Sequence, residues 1–413
     1  MVGAARSRSR SRDQSQGERD LTLPESAPES APEGASRNLF KTLVGVFFMY
    51  GSRGLGLLLT LAIIARLGIA DYGLYALAFS FATIIGPPLD NPWAVRAIRE
   101  SEDQFNRERS SRYLVGMALV VAGLAVLPFN YFLWFGLVMA GGEIAFNSLK
   151  GRAVRDGHPD LVWRYDAMRQ TTSALLVCAY LFGVDQPSLR GASLLYCAPY
   201  VAILILAGLA VRGHRPGMPG SLRQMGYLTA EMGLGTAVYL QGDVLLLGFL
   251  TDSTVVGYYN ITLMAATALA AIGQSFAMTY HEPLRKSGGT LESGPKIRTT
   301  LTISAVVGAL VLITGVVMLF TTAPAPMAQA MIIMAGFCFL RTVICVFQVV
   351  LYAQRRDRLR LGASIALLPV KFALLTILVK LGLGAVAAAI ATTASDALLL
   401  AIFAVALYGR RRR

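Results

Sequence analysis

Between residues 40 and 408 the sequence is cut into apolar runs near 40–64, 72–90, 113–128, 130–149, 170–184, 192–211, 226–250, 256–279, 299–320, 326–351, 361–380 and 383–408. A bilayer core about 30 Å thick takes about 20 helical residues to cross, and most of these runs reach that length. The expected fold is therefore an all-α polytopic membrane protein of about twelve transmembrane helices. The third to fifth runs are the shortest, with a break expected near Pro128-Phe129-Asn130, so hydropathy alone leaves ten or eleven spans open. Composition closes the soluble alternative, because 55% of the 413 residues are apolar and 15% charged, with a mean hydropathy of +0.55.

The formal charge of +14 would suit nucleic acid only if it formed a basic face on a soluble domain. Here the Lys and Arg fall between apolar runs, so no nucleic-acid partner is expected and the bilayer is the surface that matters. Loops retained in the cytoplasm accumulate Lys and Arg. With twelve crossings from a cytoplasmic start, 32 of the 38 basic residues lie inside and three (Arg66, Arg190, Lys380) outside. Both termini are thus expected in the cytoplasm. Residues 1–37, rich in Arg, Ser, Pro and Glu, read as a disordered basic cytoplasmic tail too polar for a signal peptide. Cys178, Cys197, Cys338 and Cys345 lie in apolar runs, and His158, His214 and His281 stand singly. No metal site or catalytic triad is spaced there.

The outside connections are very short, and they lack any D-x-D or paired-carboxylate arrangement. That leaves no room for a membrane glycosyltransferase or polymerase, so a non-enzymatic transporter is the economical reading. An internal repeat supports it. Ala65-Arg66-Leu67-Gly68-Ile69-Ala70-Asp71-Tyr72-Gly73-Leu74-Tyr75 follows the first run, and Leu247-Gly248-Phe249-Leu250-Thr251-Asp252-Ser253-Thr254-Val255-Val256-Gly257-Tyr258-Tyr259 follows the seventh. Both are tight turns ending in Gly-x-Tyr, 184 residues apart. The repeat predicts a six-helix bundle over 38–212, a cytoplasmic linker over 213–225, a second six-helix bundle over 226–409 and a basic tail at 410–413.

These motifs resemble the polysaccharide (O-antigen type) flippases of the multidrug/oligosaccharidyl-lipid/polysaccharide exporter superfamily. Residues 65–75 are similar to that family's first signature, and Gln241-Gly242-Asp243 with Leu247-Gly248 and Val256-Gly257-Tyr258-Tyr259 to its second. Val244 stands where a basic residue is usual. The resemblance implies a MATE-like fold in the bacterial cytoplasmic (inner) membrane. It further implies a monomer that moves an undecaprenyl-pyrophosphate-linked oligosaccharide to the periplasmic leaflet by alternating access, for lipopolysaccharide or exopolysaccharide biosynthesis. No cofactor is implied beyond coupling to H+ or Na+. Polysaccharide polymerase and glycosyltransferases are the implied protein partners.

Ionisable groups inside a membrane span are costly, so each one marks a site. Arg53, Arg341 and Lys371 fall within spans and form the expected cationic cavity, where they offset the desolvation of a lipid pyrophosphate. Otherwise each pairs with a membrane carboxylate such as Glu143, Glu231, Asp243 or Asp396 and holds helices together. Arg53 also matches a basic residue common in the family that the chain resembles. Asp243, with Tyr239 one turn earlier, is the expected coupling-ion site, and Glu231 and Asp396 are further candidates. Thr60 lies on the Arg53 stripe. Asn260, Thr267 and Gln274 recur every seven residues and face either a cavity or a neighbouring helix. The same fold would also suit an organic-cation antiporter, whose cavity would be acidic instead. Pro87, Pro88, Pro92, Pro199 and Pro369 interrupt backbone hydrogen bonding and are possible hinges.

Overall fold

The computed structural model describes residues 51, 54–97, 100–156, 158–218 and 220–409. The N-terminal tail, Arg53 and the basic residues 410–413 lie outside the described residues, and so do the expectations placed on them. The described chain is helical, and no strand occurs in it. Six spans form the first half. They are α1 (Gly54–Leu67), α2 (Ile69–Arg96), α3 (Glu102–Val126), α4 (Tyr131–Arg155), α5 (Pro159–Gly183) and the pair α6 (Leu189–Cys197) and α7 (Pro199–Val211). The second half opens with α8 (Leu222–Met232), a π turn at Gly233–Ala237 and α9 (Val238–Leu250), which together make one span. It continues with α10 (Ser253–Met278), a short helix α11 (His281–Lys286), α12 (Ile297–Leu319), α13 (Ala325–Ala353), α14 (Asp357–Lys380) and α15 (Gly384–Tyr408).

Ten of these spans are long and apolar enough to cross a membrane by themselves. Of the remaining two, α1 is a shorter apolar helix over its described residues. α5 has the length, 25 residues, but Arg164, Asp166 and Arg169 occupy its first half. Helix ends follow local chemistry. The side chains of Ser101, Asn130, Ser188, Ser221 and Asp252 each accept a backbone N–H three residues on, in the N-cap role. Pro199 divides the sixth span at its first helical position, where a missing N–H costs nothing, whereas Pro87, Pro88 and Pro92 are carried inside α2.

The helices outlast the apolar runs at one end of the bundle, which corrects the expected loops. The segment 96–112 is not a free connection: α3 starts at Glu102, and Glu108, Arg109 and Arg112 are buried. Arg112 holds Asp90 through two 2.5 Å contacts, and Arg96 holds Glu108 at 2.8 Å. Pairing is what allows these charges to be buried. Likewise Lys150 and Arg169 are not loop residues but belong to α4 and α5. The linker between the halves is tied down as well, with Ser111 Oγ donating to the Gly217 carbonyl at 2.7 Å and Arg96 reaching Gln224 at 3.3 Å. We call this the basic end, and the opposite one the short-loop end.

Packing recurs in the two halves. α4 packs on α2 and α3, and α13 packs in the same way on α10 and α12. One core lies between α1 and α7, around Trp134, Phe135 and Tyr200, and two others lie between α9 and α15, around Tyr259 and Phe337 and around Phe347 and Phe403. α2 joins the halves, running along the α8–α9 span and crossing α10. The two repeat glycines lie at that crossing, at the short-loop end. A Cβ on Gly73 would fall 1.7 Å from the Ser253 carbonyl oxygen, and one on Gly257 would fall 2.7 Å from that of Ile69. Beside them Asn260 donates to the Tyr72 hydroxyl at 2.7 Å. Small residues let helix backbones approach in this way inside a membrane.

Gly73→Ala is therefore expected to destabilise the purified protein by about 1–3 kcal/mol, read as a lowered thermal midpoint. Gly362→Ala, with no heavy atom within 4 Å of the added carbon, is expected to leave it unchanged or raise it. Equal midpoints for both variants would contradict the crossing.

Candidate functional site

A cavity of about 800 Å³ lies between α2, α8, α9, α10, α13 and α14. Its walls run from Tyr227, Tyr352 and Arg360, close to helix termini at the basic end, to Thr267, Tyr239 and Arg341 in mid-helix. Asn260, seven residues beyond Thr267 and about 10 Å further along α10, sits in the α2–α10 crossing and not in the wall. The cavity therefore opens toward the basic end and is closed toward the other.

The wall is formed by an unusual span. No residue of α8 is buried, and α8 joins α9 through the π turn. Such turns insert one residue into the helical register and often mark functional positions. Here the turn sets Gly235 and Thr236 against the cavity and carries Tyr239 and Asp243 inward. α8 is held at its flanks by three polar contacts. Asn91 donates to the Leu228 carbonyl at 2.9 Å, Arg360 pairs with Glu231 at 3.2 Å, and Arg96 reaches Gln224.

Behind the wall lies a network of charges inside the bundle. Lys371, 1% exposed, pairs with Asp243 at 3.0 Å and donates to the Tyr239 carbonyl at 2.7 Å. Asp243 also accepts from the Tyr259 hydroxyl, from Thr392 at 2.6 Å and from the Val244 amide at 3.0 Å. Arg341 faces Asp396 at 3.5 Å, and Asp396 accepts from the Tyr239 hydroxyl at 2.8 Å. The Tyr239 ring lies 5.6 Å from the Arg341 guanidinium and 5.1 Å from the Lys371 ammonium. Two cations and two carboxylates are thus balanced around one tyrosine, as a low-dielectric interior requires.

This placement revises the expected cationic cavity. Arg341 lines it, but Lys371 does not: its charge is closed in by Asp243. The wall carries Arg341, which pairs with Asp396 behind it, and Arg360, which meets both Glu231 at 3.2 Å and Asp357 at 3.4 Å. The two carboxylates in the wall thus share one arginine, and the rest of its polar surface includes the amides and hydroxyls of Asn91, Thr267, Gln274 and Gln348. Asp243 is completely buried, and the Lys371 ammonium occupies the place beside it that a coordinated cation would take. Glu231 lies at the cavity mouth and shares no site with Asp243. The seven-residue stripe of α10 divides, with Asn260 in the crossing and Thr267 and Gln274 in the cavity. Thr60 is buried and points at the Met264 sulfur, 3.9 Å away across the two halves.

A second cluster was not foreseen from the sequence. On α5 Arg169 meets Glu143 of α4 at 3.2 Å, and Tyr200 of α7 donates to the same Glu143 oxygen at 2.7 Å. Gly142 makes room for it, since a Cβ there would meet the Tyr200 ring at 2.6 Å. Arg169 was hidden because it precedes the apolar part of its run; extending the helical period one turn past the run's start would have placed it on the Gln170–Ser173 side of a continuous helix.

No family model matches the chain, and no curated protein matches its sequence. Solved structures match its fold. One is an inward-facing multidrug resistance MATE family transporter of the MOP superfamily, 15% identical, TM-score 0.61, over 87% of this chain and 94% of the other. Another is the lipid II flippase MurJ in an inward closed conformation, 10% identical, TM-score 0.61, over 88% of this chain and 87% of the other. A variant of the Vibrio cholerae MATE transporter VcmN is 12% identical, with a TM-score of 0.54, over 91% of this chain and 97% of the other. At these identities the likeness is one of fold, and the fold is MATE-like.

The buried pair makes a stability prediction. Asp243→Asn or Lys371→Met alone is expected to cost about 3–5 kcal/mol, because each leaves an uncompensated charge or donor, and the double variant is expected to cost less than either. Denaturant unfolding of the four proteins in a double-mutant cycle measures this. Additive costs would show that the two groups are not coupled.

Proposed function

We propose that the protein is a flippase of the bacterial inner membrane that carries a polyprenyl-pyrophosphate-linked oligosaccharide from the cytoplasmic to the periplasmic leaflet. The observation that carries this reading is the character of the cavity wall. Its two carboxylates among the described residues, Glu231 and Asp357, both lie against the Arg360 guanidinium, and the amides and hydroxyls left over suit the hydroxyl groups of a glycan. An organic cation would call for an unpaired carboxylate in the wall. The likeness of fold to MATE transporters supports that alternative as well as it supports a flippase, so the transport assay below includes it.

In this reading the basic end faces the cytoplasm, as the loop charges lead one to expect, and the cavity stands open to the leaflet where lipid-linked glycans are assembled. Arg341 offers its guanidinium to the cargo from the deep end. Asp396 is then the coupling carboxylate. Its Oδ2 accepts no hydrogen bond and faces Arg341, so cargo that draws Arg341 away leaves a buried charge that a proton neutralises. Opening of the α2–α10 crossing, with the mouth closing at α8, completes alternating access.

The test is reconstitution into liposomes with a fluorescent polyprenyl-pyrophosphate oligosaccharide, scored by an impermeant glycosidase on the far side. Movement of the lipid-linked glycan is expected, slowed at least tenfold by Arg341→Ala. Absence of that movement together with proton-driven export of ethidium by the same vesicles would replace the flippase reading with organic-cation antiport.

A further inference from the structure

The cavity wall, whose arginines are already engaged by carboxylates, leaves open where a cargo's phosphates are received. The first half holds a guanidinium whose hydrogen-bonding capacity is unmet. Arg169 Nε and Nη1 are shut off from solvent and have no hydrogen-bond partner. Its Nη2 alone is engaged, by Glu143 at 3.2 Å and Gln170 at 3.1 Å. Buried donors are rarely left unpaired, because each costs the full desolvation of the group. Among the described residues the nearest aromatic groups leave these two nitrogens without an acceptor: the Tyr200 ring lies 5.6 Å away and presents a face, and the Tyr196 hydroxyl, close to Arg169, donates to Gln170 at 3.4 Å.

The position of the cluster agrees with a role in the transport path. Glu143 lies twelve residues before the end of α4 at Arg155, and Arg341 lies twelve before the end of α13 at Ala353. At 1.5 Å per residue both are about 18 Å from the basic end, near mid-bilayer. Since α4 and α13 take the same place in the packing of their halves, the two clusters occupy corresponding sites. They differ in one respect. In both halves a tyrosine hydroxyl shares the carboxylate with the cation, but among these cations only Arg169 keeps buried N–H groups without a partner. The Glu143 side chain is also 34% exposed, so it forms the open side of the cluster.

We infer that Arg169 is the seat for a phosphoryl anion, with Glu143 as the group that the anion displaces from it. A phosphoryl group presents several strong acceptor oxygens to a guanidinium, and a planar guanidinium with N–H bonds to spare receives them better than an ammonium does. Taken as the pyrophosphate of the cargo, this deepens and rests on the flippase reading. A phospholipid headgroup has the same chemistry and is the other source.

Binding to the purified full-length protein in nanodiscs of zwitterionic lipid, with inorganic pyrophosphate as the probe, tests the seat. Arg169→Gln is expected to weaken binding at least tenfold. Glu143→Gln keeps an acceptor for Tyr200 but removes the competing charge, and is expected to tighten binding several-fold. A merely structural ion pair would make both variants bind more weakly or leave both unchanged, and either result overturns the seat. Should Arg169→Gln fail to fold, the sign of the Glu143→Gln effect decides alone. Loss of pyrophosphate binding in nanodiscs of phosphatidylglycerol would support the seat and identify lipid headgroups as its occupant. Unchanged pyrophosphate binding together with full-rate glycan transport by a folded Arg169→Gln protein would overturn the seat and leave the flippase reading standing. Pyrophosphate binding as expected, with no glycan transport by the wild type, would do the reverse.

Discussion

The backbones of α2 and α10 touch at Gly73 and Gly257, where no side chain fits, and the rest of the bundle is arranged around that contact. It closes the space between the halves at the short-loop end. Because each half is a packed bundle around its own aromatic core, closing them at one end leaves room for the cavity at the other. The contact is made by backbone and a single Asn260–Tyr72 hydrogen bond, with no buried ion pair at this point. Such a joint can part without stranding a charge, as alternating access in the proposed flippase would require at this end.

The charges buried inside each half are held by partners of opposite sign. Tyr239 is the centre of the second-half network: it supplies a hydroxyl to Asp396, a carbonyl to Lys371 and a ring face to both cations. The π turn just before it gives the span this function. An ordinary helix through Gly233–Ala237 would rotate Tyr239 and Asp243 away from the direction they now take, relative to Glu231. The exposed α8 and the buried α9 are thus one span with two tasks, a loosely held wall at the mouth and an anchored strut behind it.

Much of the architecture was legible in the apolar runs. The break between α3 and α4, the tight turn before α2 and the helical stripe of α10 could be read from residue type and period alone. What could not be read was the depth to which charged residues are drawn into the bundle. Arg112, Glu108, Lys150 and Arg169 looked like loop residues because hydropathy treats each charge as solvated, while the structure buries them by pairing. The same limit hid the environment of Lys371. A lysine in mid-span has one meaning beside a cavity and another beside Asp243, and 128 residues separate the pair. The closing role of the repeat was also invisible, since Gly-x-Tyr indicates a turn but not that the two turns meet.

The central claim is that the path is open on one side only, with the α2–α10 crossing as its barrier. Single cysteines at Thr267 and Asn260, in a protein lacking Cys178, Cys197, Cys338 and Cys345, report on it directly through a membrane-impermeant thiol reagent applied from either side. Thr267→Cys should react from the basic end and not from the short-loop end, and Asn260→Cys from neither in the resting protein. Reaction of Thr267→Cys from the short-loop end at a comparable rate would mean that the crossing is not a barrier, and would contradict the account.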